Sequence, residues 1–160
     1  MSQIDIRLGS KADVPVILSF IKELAEYERL SHLVVATEET LGAALFGDRP
    51  QAEVVIAALG GKDVGFALFF HNFSTFLGKQ GLYLEDLYVR PEARGAGAGK
   101  ALLKHLAKIA VERDCGRFEW SVLDWNEPSI QFYKSLGAKP MDEWTIFRLD
   151  GDALTALAGN

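Results

Sequence analysis

Cysteine is almost missing: Cys115 is the single thiol among 160 residues, so the chain cannot build an intrachain disulfide framework. Five prolines leave no room for a collagenous or polyproline reading. Histidine is equally sparse, and His32, His71 and His105 stand at no ligand spacing, so no metal site is expected. Basic residues are outnumbered 22 to 17, for a formal charge of -5, which argues against a partner that demands broad phosphate neutralisation. No nucleic acid is expected, whereas small cations are tolerated. Long apolar runs are also lacking. Val54 to Leu59 and Val64 to Phe70 are strand-length and are separated by Gly60-Gly61-Lys62-Asp63, so no membrane span is expected. A basic, then apolar leader is not seen at the start, and a cytoplasmic location is the expectation.

What is present is globular: 49% hydrophobic and 24% charged residues can bury a sizeable core. Gln3 to Arg7 reads as a short strand. Ser10-Lys-Ala-Asp13 resembles a capping box, with Pro15 in the first turn of the helix it opens. Val14, Ile17, Leu18, Ile21, Leu24 and Ala25 recur at helical spacing, predicting an amphipathic helix to about Arg29. Thr37 caps a second helix through Phe46 that buries Leu41, Ala44 and Leu45. The two β-branched runs form an antiparallel hairpin, and a loop follows from Asn72 to Gly81. Leu82 to Val89 is a strand, and Leu102, Leu103, Leu106, Ile109 and Ala110 define a helix closing near Arg113. Phe118 to Leu123 is a strand, Pro128 to Leu136 a helix stopped by Gly137, Trp144 to Leu149 a final strand, and Asp152 to Ala158 a last helical stretch. Without repeats or linkers, one mixed α/β sheet domain over 1–160 is the simplest architecture.

Two features of this layout carry chemistry. Glu85 and Asp86 stand side by side in an apolar strand, where alternation sends them to opposite faces and at least one towards packed surface. Arg94-Gly-Ala-Gly-Ala-Gly99 lies between strand and helix. A Walker A loop would need Gly at 94 and Ser or Thr at 101, where Arg94 and Ala101 stand. A dinucleotide fingerprint from Gly97 would need a small residue at 102, where Leu102 stands. What remains is an arginine and alternating glycines at a helix N-terminus, suited to a pyrophosphate, with a plain flexible turn as the competing interpretation.

Arg94-x-x-Gly97-x-Gly99 after Leu87-Tyr88-Val89, with Asn126 and Tyr133 on a later helix, resembles the coenzyme A site of the GNAT N-acetyltransferase superfamily. Within it, Glu23-Leu-Ala-Glu-Tyr27-Glu28, Leu82-Tyr-Leu-Glu85-Asp86 and Asn126-Glu-Pro-Ser-Ile-Gln-Phe-Tyr133 resemble the spermidine/spermine (diamine) branch. Leu123-Asp-Trp-Asn126 is more similar to relatives that prefer thialysine and lysine-like amines. The resemblance implies a mixed, mostly antiparallel sheet flanked by helices, acetyl-CoA as co-substrate, and a homodimer. It places the coenzyme against Leu87, Tyr88 and Val89, against Arg94, Gly95, Ala96, Gly97, Ala98, Gly99 and Lys100, and against Asn126, Ser129 and Tyr133. It implies that Tyr27, Glu28 and Asp86 bind the distal ammonium of a small cationic amine, with Asp142 a further acid beside them or a solvated surface group.

The residue chemistry is compatible. A protonated amine must lose a proton before it attacks a thioester, and a carboxylate in a partly apolar strand has its pKa raised towards that task. Glu85 is the expected base, with a structural ion pair as the competing role. The departing thiolate, of free pKa about 8.5, needs a proton that a phenol can give, and Tyr133 suits that role unless it is ordinary helix packing. A backbone N–H near Leu87 is the expected oxyanion donor. The expected function is acetyl transfer from acetyl-CoA to a small diamine or polyamine. Transfer to thialysine, a lysine-like amine or a peptide, and a silent acyl-CoA-binding module, are the alternatives.

Overall fold

The computed structural model describes residues 3–159, which divide into two compact units, 3–121 and 122–159. The first unit holds a five-stranded sheet in the order β1 (Ile4–Leu8), β2 (Glu53–Leu59), β3 (Lys62–Ser74), β4 (Lys79–Val89) and β5 (Phe118–Trp120). The first four pair antiparallel, and β4 pairs with β5 in parallel. That is the mixed, mostly antiparallel sheet expected.

Helices α1 (Val14–Tyr27), α2 (Glu38–Phe46) and α3 (Ala98–Glu112) complete this unit. Their starts follow from local chemistry. The Asp13 carboxylate accepts from the Ser10 N–H at 2.8 Å and from its hydroxyl at 3.1 Å, and Thr37 Oγ1 accepts from the Thr40 N–H at 3.2 Å. One face of the sheet packs Val54, Ile56, Phe66, Leu68 and Tyr88 with Ile17 and Phe20 of α1 and Leu45 of α2. Phe20 and Phe66 stack with ring centroids 5.5 Å apart. Both are fully buried, and each contributes roughly 1.5–3 kcal/mol. By alternation Val55, Ala57, Ala67 and Phe69 face the other way, the side that α3 covers with buried Leu102, Leu103, Leu106 and Ala110.

The β2–β3 connection is tighter than Gly60–Asp63. Leu59 pairs directly with Lys62, and Gly60 (φ 59°) and Gly61 (φ 81°) make a two-residue turn that only left-handed backbone allows. The expected loop from Asn72 to Gly81 is overturned. Asn72 pairs with Gly81, Phe73 with Gln80 and Ser74 with Lys79, so the polar side chains there belong to strands and the loop shrinks to 75–78. Buried Ser74 tightens that turn, its hydroxyl accepting from the Leu77 N–H at 3.2 Å.

The second unit contains α4 (Glu127–Ser135) and α5 (Gly151–Leu157). The strand expected at 144–149 is not formed, and the one expected at 118–123 stops at Trp120. β-branched and aromatic residues make a strand only where a neighbour supplies a ladder. Along 144–149, backbone pairing among the described residues ends with Trp144 N–H to Met141 O and resumes at Leu154. Trp144, Ile146 and Phe147 are consequently exposed. Among the described residues no helix is long and apolar enough to cross a membrane.

Candidate active site

The C-terminal end of β4 is where the sheet opens. Its parallel ladder with β5 stops at Leu84 and Trp120, yet β4 continues to Val89 beside β3. Just past the last β5 partner the register breaks: Phe69 pairs with Leu84 but Leu68 pairs with Asp86, so Glu85 is the extra residue of a β-bulge.

One of the two acids does meet packed surface, and the bulge decides which. The register slip moves Asp86 onto the face of Leu68, Phe66 and Tyr88, while Glu85 is exposed. It is Asp86, not Glu85, that packing withdraws from water. Burial, then repulsion from Glu85 and from Glu28, pushes the Asp86 carboxyl up from its ordinary 3.8 to about 6. Glu28, just past the end of α1, is half-buried, and burial raises its pKa as well. Three carboxylates are thus gathered where β4 bulges, and Tyr27 is the adjoining last residue of α1. Such a cluster favours a cation that neutralises it.

Beyond Val89, a 3-10 turn over Pro91–Ala93 leads to Arg94, whose Nε donates to Val89 O at 3.1 Å. Gly95 (φ 87°) and Gly97 (φ 86°) are left-handed, and a Cβ on either would project into open space. Gly97 is the N-cap of α3 and offers no side chain to the first-turn N–H groups. Ala96 and Lys100 are exposed, Ala98 is buried, and Gly99 lies against Val89. A close backbone approach, unsatisfied helix donors and a guanidinium fit the phosphates of a nucleotide-bearing coenzyme. Leu87 and Val89 are half-buried and Tyr88 is buried.

Within the second unit, buried Asn126 caps α4, its Oδ1 accepting from the Ser129 N–H at 3.4 Å. Ser129 and Tyr133 are one turn apart on this helix and both half-buried, with the Tyr133 ring 5.7 Å from that of Phe132. Asp142 lies in an exposed turn of the same unit.

The family resemblance implies that this strand bulges open near Leu87, and the register break falls at Glu85, two residues earlier. A part-buried network in which Arg90 Nη2 and Tyr88 Oη both donate to Glu23, each at 3.1 Å, escaped the sequence. Glu23 reads from the sequence as the solvent face of α1.

A parallel β4–α3–β5 unit with glycines at the helix start and an opened strand beside it suits a transferase that binds a nucleotide-bearing coenzyme. The chain belongs to the acetyltransferase (GNAT) family, whose model matches residues 19–138. It is 39% identical to the thialysine N-epsilon-acetyltransferase of Sus scrofa, over 99% of each chain. It is 34% identical to the spermidine/spermine N(1)-acetyltransferase-like protein 1 of Homo sapiens, over 99% of this chain and 24% of that one. Among solved structures, an integron cassette protein from the mobile metagenome of V. cholerae superposes with a TM-score of 0.81 at 30% identity, covering 98% of both. The protein is an N-acetyltransferase acting on amines, of a family that generally uses acetyl-CoA.

Proposed function

We propose that the acceptor is a small dicationic amine, a diamine or polyamine, and that acetyl moves to its primary amino group directly. The gathering of Glu28, Glu85 and Asp86 at one bulge carries this reading, because it leaves one acid for the reacting amine and others for a distal ammonium. Acetyl-CoA supplies the activated thioester, with its pyrophosphate held by Arg94 and the backbone from Gly95 to Lys100, and with contacts from Leu87 to Val89 and from Asn126 and Ser129. Exposed Glu85 takes the proton from the reacting ammonium, directly or through water. Asp86 and Glu28, with Tyr27 and Asp142, hold the distal charge. A backbone N–H near Leu87 steadies the developing oxyanion, and Tyr133 Oη returns a proton to the departing sulfur. A single catalytic domain over 1–160 belongs to this reading, and the family model matches residues 19–138. A cytoplasmic homodimer belongs to this reading, and the exposed Trp144, Ile146 and Phe147 support its self-association alone.

A second reading, a thialysine or lysine-like acceptor, is favoured by the likeness to the pig thialysine enzyme over the whole chain. The test is a thiol-release assay with spermidine, putrescine, thialysine, lysine and a lysine peptide. Turnover highest with putrescine or spermidine supports the first reading, thialysine highest the second, and no thiol release with any amine would reject both in favour of a silent binding module. Glu85→Gln is expected to bind acetyl-CoA normally and to lose about 10²-fold or more in kcat, and a loss below about threefold would remove it as the base.

Gly97→Val is expected to weaken acetyl-CoA binding at least tenfold in calorimetry. A β-branched residue is strained at φ 86°, and its side chain would fill the open space over the cradle. Unchanged affinity would displace the coenzyme from this turn.

A further inference from the structure

Arg94 does not hang free above the cradle. Its guanidinium carbon lies 5.3 Å from the Tyr27 ring centroid and 5.9 Å from that of Tyr88. The two rings differ in support. Tyr88 is buried, its hydroxyl donates to Glu23, and Glu23 is gripped in turn by Arg90, which itself lies 4.7 Å over the Phe20 ring. Tyr88 is therefore fixed from behind by the core. Tyr27, at 40% exposure on the last turn of α1, closes the other side.

We infer that Tyr27 is a positioning residue for the coenzyme: with Tyr88 it forms an aromatic seat that holds the Arg94 guanidinium at the mouth of the anion cradle. The end of α1, which the sequence assigns to the acceptor, thereby also sets coenzyme affinity. An exposed arginine has several freely turning bonds, and holding it before the ligand arrives removes part of the ordering cost of binding. The ring faces supply the attraction, so the Tyr27 hydroxyl is not needed for it. This inference rests on the reading of Arg94 and Gly95 to Lys100 as the pyrophosphate site.

The experiment is calorimetric titration of acetyl-CoA, without acceptor, into the full-length protein and four variants. Tyr27→Phe keeps the ring and is expected to match the parent Kd. Tyr27→Leu is expected to bind about two- to fivefold more weakly, the range of an exposed cation–π contact. Arg94→Ala is expected to lose roughly tenfold or more. Adding Tyr27→Leu to Arg94→Ala should cost nothing further, because the seat is then empty. Rescue by phenylalanine and silence in the Arg94→Ala background are outcomes that general damage to the helix end would not give. If Arg94→Ala binds as the parent does, the pyrophosphate reading falls and the seat with it. If Arg94→Ala is weak but Tyr27→Leu binds normally or more tightly, the seat alone falls. Equal losses for Tyr27→Phe and Tyr27→Leu, or a further loss in the double variant, would also overturn it.

Discussion

Tyr133→Phe is expected to lower kcat by about 10²- to 10³-fold while leaving the acetyl-CoA Kd within about twofold of the parent. The leaving thiol, with a free pKa of about 8.5, departs far more easily when a proton arrives as the carbon–sulfur bond breaks. A phenol one turn beyond Ser129 on a helix anchored by buried Asn126 can deliver it. Phenylalanine retains the ring that lies 5.7 Å from Phe132 and a good helix fit, so α4 should persist in circular dichroism. Steady-state thiol release together with calorimetry separates the two effects. Loss of binding and turnover in equal measure would make Tyr133 a coenzyme contact, and a kcat within threefold of the parent would end its role as acid.

The parts legible in the sequence were those written into contiguous residues. Ser10 with Asp13, and Thr37, mark helix starts because their side chains reach backbone donors within one turn. Gly97 marks the cradle because a left-handed backbone at φ 86° strongly favours glycine. The β2–β3 hairpin follows from two apolar runs around paired glycines. What was not legible depends on partners distant in the chain. Strict alternation puts Glu85 and Asp86 on opposite faces, and nothing in their identity says that Leu68 will pair with Asp86 after Phe69 pairs with Leu84. Residues 72–74 read as loop because the ladder that recruits them is backbone on β4. Residues 144–149 have strand composition, but composition cannot supply the neighbour that a strand needs. Arg94, Tyr27 and Tyr88 meet only through the packing of α1 on the sheet.

Asp86→Asn is expected to make the protein more stable and a poorer enzyme. The folded-state carboxyl ionises near 6 against an ordinary 3.8, so between these values the native chain keeps a proton that the unfolded chain has released. Stability therefore falls as pH rises across that window, and above about 6 the full cost, roughly 3 kcal/mol at most, is carried. Asparagine keeps the shape without the charge. At pH 7 its melting temperature should rise by several degrees, at pH 4 it should match the parent, and the decline between the two should flatten, leaving the smaller contribution of Glu28. For the acceptor the sign reverses. A dication favours the ionised carboxylate, so the parent should bind diamines more tightly as pH rises through 6, and the variant should lose that rise. At pH 7.5 its kcat/KM for putrescine or spermidine should fall about 10- to 100-fold, mainly through KM, and less for a monoamine. A kcat loss at unchanged KM would instead make Asp86 the base in place of Glu85. Equal losses for dications and monocations would show that this carboxylate, though withdrawn from water by the bulge, does not read the distal charge.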